Sequence, residues 1–115
     1  MPIQTLAFYL FCAHFAADYS LQGDTMALQK SRFTDNGLAK AVPWYYWMLA
    51  HACIHGAFVA LITGRPLLGA VEVVLHFLTD DAKCRKVFGI HADQILHLGA
   101  KVAYVAVVAY AGGAR

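Results

Sequence analysis

The chain has 115 residues, of which 60% are hydrophobic and 14% charged, and its formal net charge is +2. Ordinary soluble proteins carry roughly 45–50% apolar and about 25% charged residues. The apolar content excludes intrinsic disorder, and the small charge excludes a basic nucleic-acid module. The length suits one domain, residues 1–115, and the composition favours an integral membrane protein over a small soluble enzyme.

In chain order, the first stretch from Met1 to Ala17 is apolar and ends in small residues. It has no basic start and carries His14, so it is expected to be a retained helix rather than a cleaved signal. Four apolar segments follow one another: Ile3–Leu21, Trp44–Thr63, Pro66–Asp80 and Gln94–Ala111. Ala and Leu are abundant in them and β-branched residues are scattered, which predicts helices. Gly64-Arg65-Pro66 predicts a tight turn between the second and third. In the polar stretch Gln22–Pro43, Asp24 is placed to cap a short helix over Thr25–Arg32, and Asn36-Gly37 to end it. Asp81–Ala92 forms the other polar connection. The expected fold is therefore an all-α, up-down four-helix membrane bundle with a short extra helix in the first long loop. The first and third segments reach only about 15 apolar residues, against about 20 for a full span. Cys12, Cys53 and Cys84 form no Cys-x-x-Cys pair and are expected to be buried thiols.

Charge sets an expected orientation. Lys30, Arg32 and Lys40 lie in the first connection and Lys83, Arg85 and Lys86 in the last, with Arg65 and Arg115 on the opposite side. The excess puts both longer loops in the cytoplasm and both termini outside. Trp44, Tyr45, Tyr46 and Trp47 sit where an interfacial aromatic belt is expected.

The chemistry-bearing pattern is one of pairs. His14 and Asp18 are four apart, as are His51 and His55, His76 and Asp80, and Asp93 and His97. Residues at i and i+4 share a helix face, and this spacing lets two side chains of one helix grip a metal. With six His and six Asp in the chain, random placement yields about one such pair. In an up-down bundle all four pairs converge at one depth near the loop side. Eight nitrogen and oxygen donors suit one or two divalent ions, zinc first and manganese or iron next. Asp93 is the candidate general base and His14 a ligand or proton shuttle. The competing reading is a metal-free polar network that locks the bundle.

Other polar residues follow the same stripes. Glu72 precedes His76 by four and Lys101 follows His97 by four. They are expected either to orient ligands or to pair with each other deeper in the bundle. Gln22 and Gln94 are candidate donors at the mouth of the site. Lys83, Arg85 and Lys86, with Lys30 and Arg32, are candidates to hold an anionic headgroup. Small residues at Ala100, Ala103 and Ala106, or at Gly69 and Ala70, offer faces for self-association.

His14-Phe-Ala-Ala-Asp18-Tyr19-Ser-Leu21-Gln22 resembles the opening motif of a family of small bacterial and phage membrane proteins, domain of unknown function 3307. His51-Ala-Cys-Ile-His55-Gly56, His76-Phe-Leu-Thr-Asp80-Asp-Ala-Lys83 and Asp93-Gln94-Ile-Leu-His97 resemble its later motifs, in order. The resemblance implies a polytopic protein of a bacterial inner membrane, or of a host's if phage-encoded. More distantly the pattern is similar to inner-membrane metal-dependent hydrolases. The expected function is a metal-dependent hydrolase at the cytoplasmic face, acting on a phosphate- or ester-bearing lipid or small amphiphile. The alternative is a non-enzymatic membrane module whose loops bind a partner protein. Bis-His haem ligation by His55 and His76 is a third option, and the nearby carboxylates argue against it.

Overall fold

The computed structural model describes residues 1–112, so Arg115, used above in the charge argument, lies outside the described residues. The described residues are all-helical, with no strand among them. Helix α1 spans Ile3–Phe15 and runs into a π-helical turn at Ala16–Ser20. Two short helices follow, α2 (Gly23–Gln29) and α3 (Gly37–Ala41), then three long ones, α4 (Trp44–Thr63), α5 (Pro66–Cys84) and α6 (Ile90–Tyr110).

The long helices begin and end where local chemistry dictates. Gly64 caps α4 in the left-handed conformation (φ 67°), and Pro66 opens α5 at a position where a missing N–H costs nothing. These two residues make α4 and α5 an antiparallel hairpin. At its centre the backbones meet: a Cβ on Gly56 would lie 2.7 Å from the Gly69 carbonyl oxygen, and one on Gly69 would lie 2.6 Å from that of Gly56. Gly69 is therefore consumed inside the hairpin and is not a face for self-association. Helix α1 packs against α4 and α6, and α5 packs against the same two, which closes a ring.

Four expectations need correction. The polar connection expected at Asp81–Ala92 is largely helical: α5 continues to Cys84 and α6 starts at Ile90, which leaves only residues 85–89 between them. The extra helix of the first loop is two helices, and Asn36 starts the second rather than ending the first: its side-chain oxygen accepts from the Ala39 N–H at 2.8 Å. Asn is among the best N-cap residues, and with Gly after it the same dipeptide also reads as a stop. Asp24 lies in the first turn of α2 and does not cap it. Cys12 and Cys53 are exposed, and Cys84 half-buried; being apolar, they sit on an exterior that is itself apolar.

Each long helix buries one stripe, and the stripes change character along their length. In α1 they run Leu6, Leu10, His14; in α6, read from its end, Val108, Tyr104, Lys101, His97, Asp93. In α4, read the same way, Val59 gives way to His55 and His51. Leu6, Leu10, Val59, Tyr104 and Val108 form an apolar cluster at one end. The other end is polar. Meanwhile Phe8, Leu61, Leu67, Leu78, Ile95 and Val102 are exposed. An interior richer in polar groups than the exterior inverts the usual soluble arrangement.

Candidate metal centre

All eight candidate ligands are buried: His14, Asp18, His51, His55, His76, Asp80, Asp93 and His97. The pair periodicity thus places them on interior stripes. Asp18 arrives by a different route, because it lies in the π turn, whose Leu21 N–H reaches back to the Ala16 carbonyl at 2.9 Å. The wider turn re-aims Asp18 into the centre of the ring. Single π turns in α-helices occur often at functional sites.

Four donor atoms meet there. Asp18 Oδ1 lies 2.9 Å from His55 Nε2 and 3.2 Å from His51 Nε2. His76 Nε2 lies 3.6 Å from the same oxygen and 3.1 Å from His51 Nε2. These atoms, with none more than 4.8 Å from another, are close enough to hold one ion. A tetrahedral zinc with bonds of roughly 2.0–2.1 Å separates its ligand atoms by about 3.3 Å, so the donor set has the right size. The His51 and His76 Nε2 atoms face each other. Without an ion one of them must carry a proton and donate it to the other; with an ion both lone pairs have a target. The three rings pack closely, with the His55 and His76 centroids 3.6 Å apart.

The remaining candidates form a second layer. Glu72 Oε1 is 3.3 Å from His76 Nδ1, the far side of the imidazole from the four-atom cluster. At that distance it is an electrostatic neighbour of the ring, without hydrogen-bond geometry. Glu72 also accepts from Lys101 Nζ (2.5 Å) and from the Tyr104 hydroxyl (2.7 Å). Of the two expectations for Glu72 and Lys101, the structure shows the ion pair between them, with Glu72 also lying beside His76. Glu72, His76 and His97 also make a three-residue group able to approach an ion, with Glu72 already engaged by Lys101.

Gln94 ties the layer together. Its Nε2 donates to Asp18 Oδ2 (2.9 Å) and Asp93 Oδ2 (3.1 Å), which leaves its Oε1 to accept from His14 Nε2 at 2.9 Å. His14 Nε2 therefore carries a proton. His97 Nε2 donates to Asp93 Oδ1 at 3.1 Å. Gln22 donates to the Asp18 backbone carbonyl at 3.0 Å and does not touch its carboxylate.

The cationic residues divide. Lys30 is buried, with Nζ 2.5 Å from Asp80 Oδ2, and Lys83 lies 3.0 Å from Asp80 Oδ1 and 3.8 Å from Asp93 Oδ2. Burial works against the Lys83 charge, but Asp80 and Asp93 outweigh it and raise its pKa. Arg32 and Arg85 both pair with Asp81 (2.6 and 3.3 Å), away from the donor set, and Lys86 is exposed. The hydrogen bonds that Arg32 donates to the Asp81 carboxylate raise its pKa. The cationic rim at the mouth thus consists of Lys30 and Lys83 alone among the described residues. With Asp18, Tyr19, Gln22, Ile90 and Gln94 they line a cavity of about 110 Å³. A larger apolar cleft of about 490 Å³ lies between α5 and α6, walled by Leu75, Ile95, Leu96 and Ala100, with Glu72 and His97 reaching it.

Sequence reading missed the roles of two residues. Tyr104 follows His97 by seven and shares its stripe, so its place beside Glu72 had a signal. Burial of Lys30 had none, since a lysine in a polar loop normally stays solvated.

No curated protein and no solved structure matches the chain, and the distant similarity to metal-dependent hydrolases gains no support from them. Residues 6–112, nearly the whole chain and all four paired motifs, match the family described as protein of unknown function DUF3307, and the chain belongs to that family.

Proposed function

We propose that the protein is a four-helix membrane bundle that holds a divalent ion, zinc by preference, through Asp18, His51, His55 and His76. The observation that carries this reading is charge balance. Five carboxylates are buried: Asp18, Glu72, Asp80, Asp81 and Asp93. Four have cationic partners: Arg32 and Arg85 at Asp81, Lys101 at Glu72, Lys30 and Lys83 at Asp80, and Lys83 again near Asp93. Asp18 has only imidazoles and an amide around it. A buried carboxylate without a counter-charge is costly, and a cation among three imidazoles removes that cost.

Membrane insertion rests on the inverted burial pattern. Helices α4 and α6 have 18-residue windows of mean hydropathy 1.4 and 1.2, of which only 39% and 28% are buried inside the molecule. The core helix of a soluble protein would be mostly buried. With the cytoplasmic orientation that the loop charges favour, the metal lies near the inner face.

The activity proposed for this site is hydrolysis of a phosphate- or ester-bearing amphiphile. A bound divalent ion supplies Lewis-acid polarisation of a phosphoryl or carbonyl oxygen and acidifies water. Four protein donors fill a tetrahedron, but zinc can expand to five ligands, and the mouth cavity opens beside Asp18 to admit one. Asp93, held by Gln94 and His97, is the candidate base, and His14, whose Nε2–H is donated to Gln94 and whose Nδ1 has no partner to hold it, is the candidate proton shuttle. The α5–α6 cleft gives an acyl chain a way to the polar interior from the side.

The test is metal content by mass spectrometry of detergent-purified, untagged protein beside a His51→Ala/His55→Ala variant of confirmed fold, followed by phosphoester and acyl-ester assays of the loaded protein. Zinc lost in the variant and turnover by the wild type support the proposal; metal-free protein that takes up no added ion defeats it. A second reading, a metal-free polar lock in a partner-binding module, is favoured by the hydrogen bonds that Gln94, Glu72 and Lys30 already complete without an ion. It predicts a retained fold and function when the donors are replaced by isosteres.

A further inference from the structure

We infer that the site is built for one divalent ion, and that the place of a second cation is filled permanently by the ammonium groups of Lys30 and Lys83. The inference rests on the metal reading above and deepens it. Eight candidate donors at one depth suggest a two-metal centre, in which ions about 3.5–4 Å apart are bridged by carboxylates. The structure fills the second position differently.

Asp80 comes within 3.4 Å of His51 Nε2 through its Oδ2, so it stands beside the four-atom donor set. Yet both of its oxygens face an ammonium. Lys30 Nζ donates to Oδ2, and Lys83 Nζ lies 3.0 Å from Oδ1 as an ion pair without hydrogen-bond geometry. Lys83 also reaches toward Asp93 Oδ2, so a single ammonium faces both carboxylates as a bridging ion would. Lys30 is 3% exposed. It comes from the C-terminal cap of α2, outside the ring of long helices, and enters the interior to make this contact. A buried lysine is rare unless its charge is matched, and here the match is Asp80.

Charge arithmetic supports the same count. Asp81 is matched at the rim by Arg32 and Arg85; the other four buried carboxylates against three ammonium groups leave one negative charge, at Asp18. One divalent ion there leaves the interior with a net charge of about one. A second divalent ion would add two more positive charges beside Lys30 and Lys83 in a medium that screens poorly.

The experiment is zinc stoichiometry. Detergent-purified protein is equilibrated with excess zinc, desalted and measured by mass spectrometry, with folding checked by circular dichroism. The wild type is expected to keep one equivalent. Asp80→Asn is expected to keep that one equivalent, because Asp80 is not a ligand. Lys30→Met/Lys83→Met is expected to take up a second. Two equivalents in the wild type, loss of the ion in Asp80→Asn, or a folded double variant that still holds one would each overturn the inference while leaving a metal site in place. A wild type that holds none overturns both. Should the double variant fail to fold, the wild-type and Asp80→Asn counts still decide.

Discussion

At one end of the bundle Leu6, Leu10, Val59, Tyr104 and Val108 close on one another. At the other, the same stripes and the π turn that extends α1 carry five imidazoles and four aspartates. The apolar end resembles the core of any small helical protein. In a bilayer, however, it is the less informative half. Lipid tails are as apolar as Leu, so burying Leu6 or Leu10 gains packing but little transfer free energy. A polar group left unpaired in the same surroundings costs several kcal/mol. In the bilayer setting proposed above, the polar end therefore fixes which helices meet and in what register, and the apolar end fills the space that remains.

This contrast can be broken by experiment. The largest effect is expected at the junction of the two regions. Lys101→Met strands Glu72 as a buried charge and should cost about 3–5 kcal/mol, read from denaturation in detergent. Adding Glu72→Gln should restore much of it. Next comes the ion itself. Zinc at about 100 times its dissociation constant should stabilise the wild type by about 2.7 kcal/mol, seen as a raised melting temperature, and should leave Asp18→Asn/His55→Ala unmoved. In the apolar end, Leu10→Ala should cost about 2 kcal/mol, the low edge of the range for buried leucine, because only the cavity is lost and not the transfer from water. If it costs more than Lys101→Met, the proposed contrast is reversed. The smallest effect is a control outside both regions. Asn36→Ala removes the α3 cap for about 1 kcal/mol and should raise hydrogen exchange in Gly37–Ala41 without changing zinc content.

The helices were legible because their signals are local. Gly64 and Pro66 fix the α4–α5 turn, and α4 matches its apolar segment, Trp44–Thr63. The interior position of all eight His and Asp candidates was legible because i,i+4 spacing determines a shared face whatever lies opposite. Which four of the eight meet at one point was not, since that depends on the π turn at Ala16–Ser20. Nothing in Ala-Ala-Asp-Tyr-Ser distinguishes an i→i+5 hydrogen bond from the ordinary i→i+4 one. The partners of Lys30 and Arg32 were equally hidden, because Asp80 and Asp81 lie about fifty residues away. Adjacent in sequence, these two aspartates point to different cations, and periodicity alone could not assign them.

The position of the four donors along the chain has a consequence for biosynthesis. Asp18, His51, His55 and His76 all precede α6, which supplies Asp93, Gln94, His97 and Lys101 to the surrounding layer but none of the four. Three of the donors lie on one hairpin, α4–α5, closed by a two-residue turn and by the Gly56–Gly69 contact. Local hairpins form early because little chain must be ordered to bring their faces together, and synthesis proceeds from the N-terminus. The complete donor set thus leaves the ribosome before the last helix does, so that an ion can be captured first and α6 then laid over it as a cover.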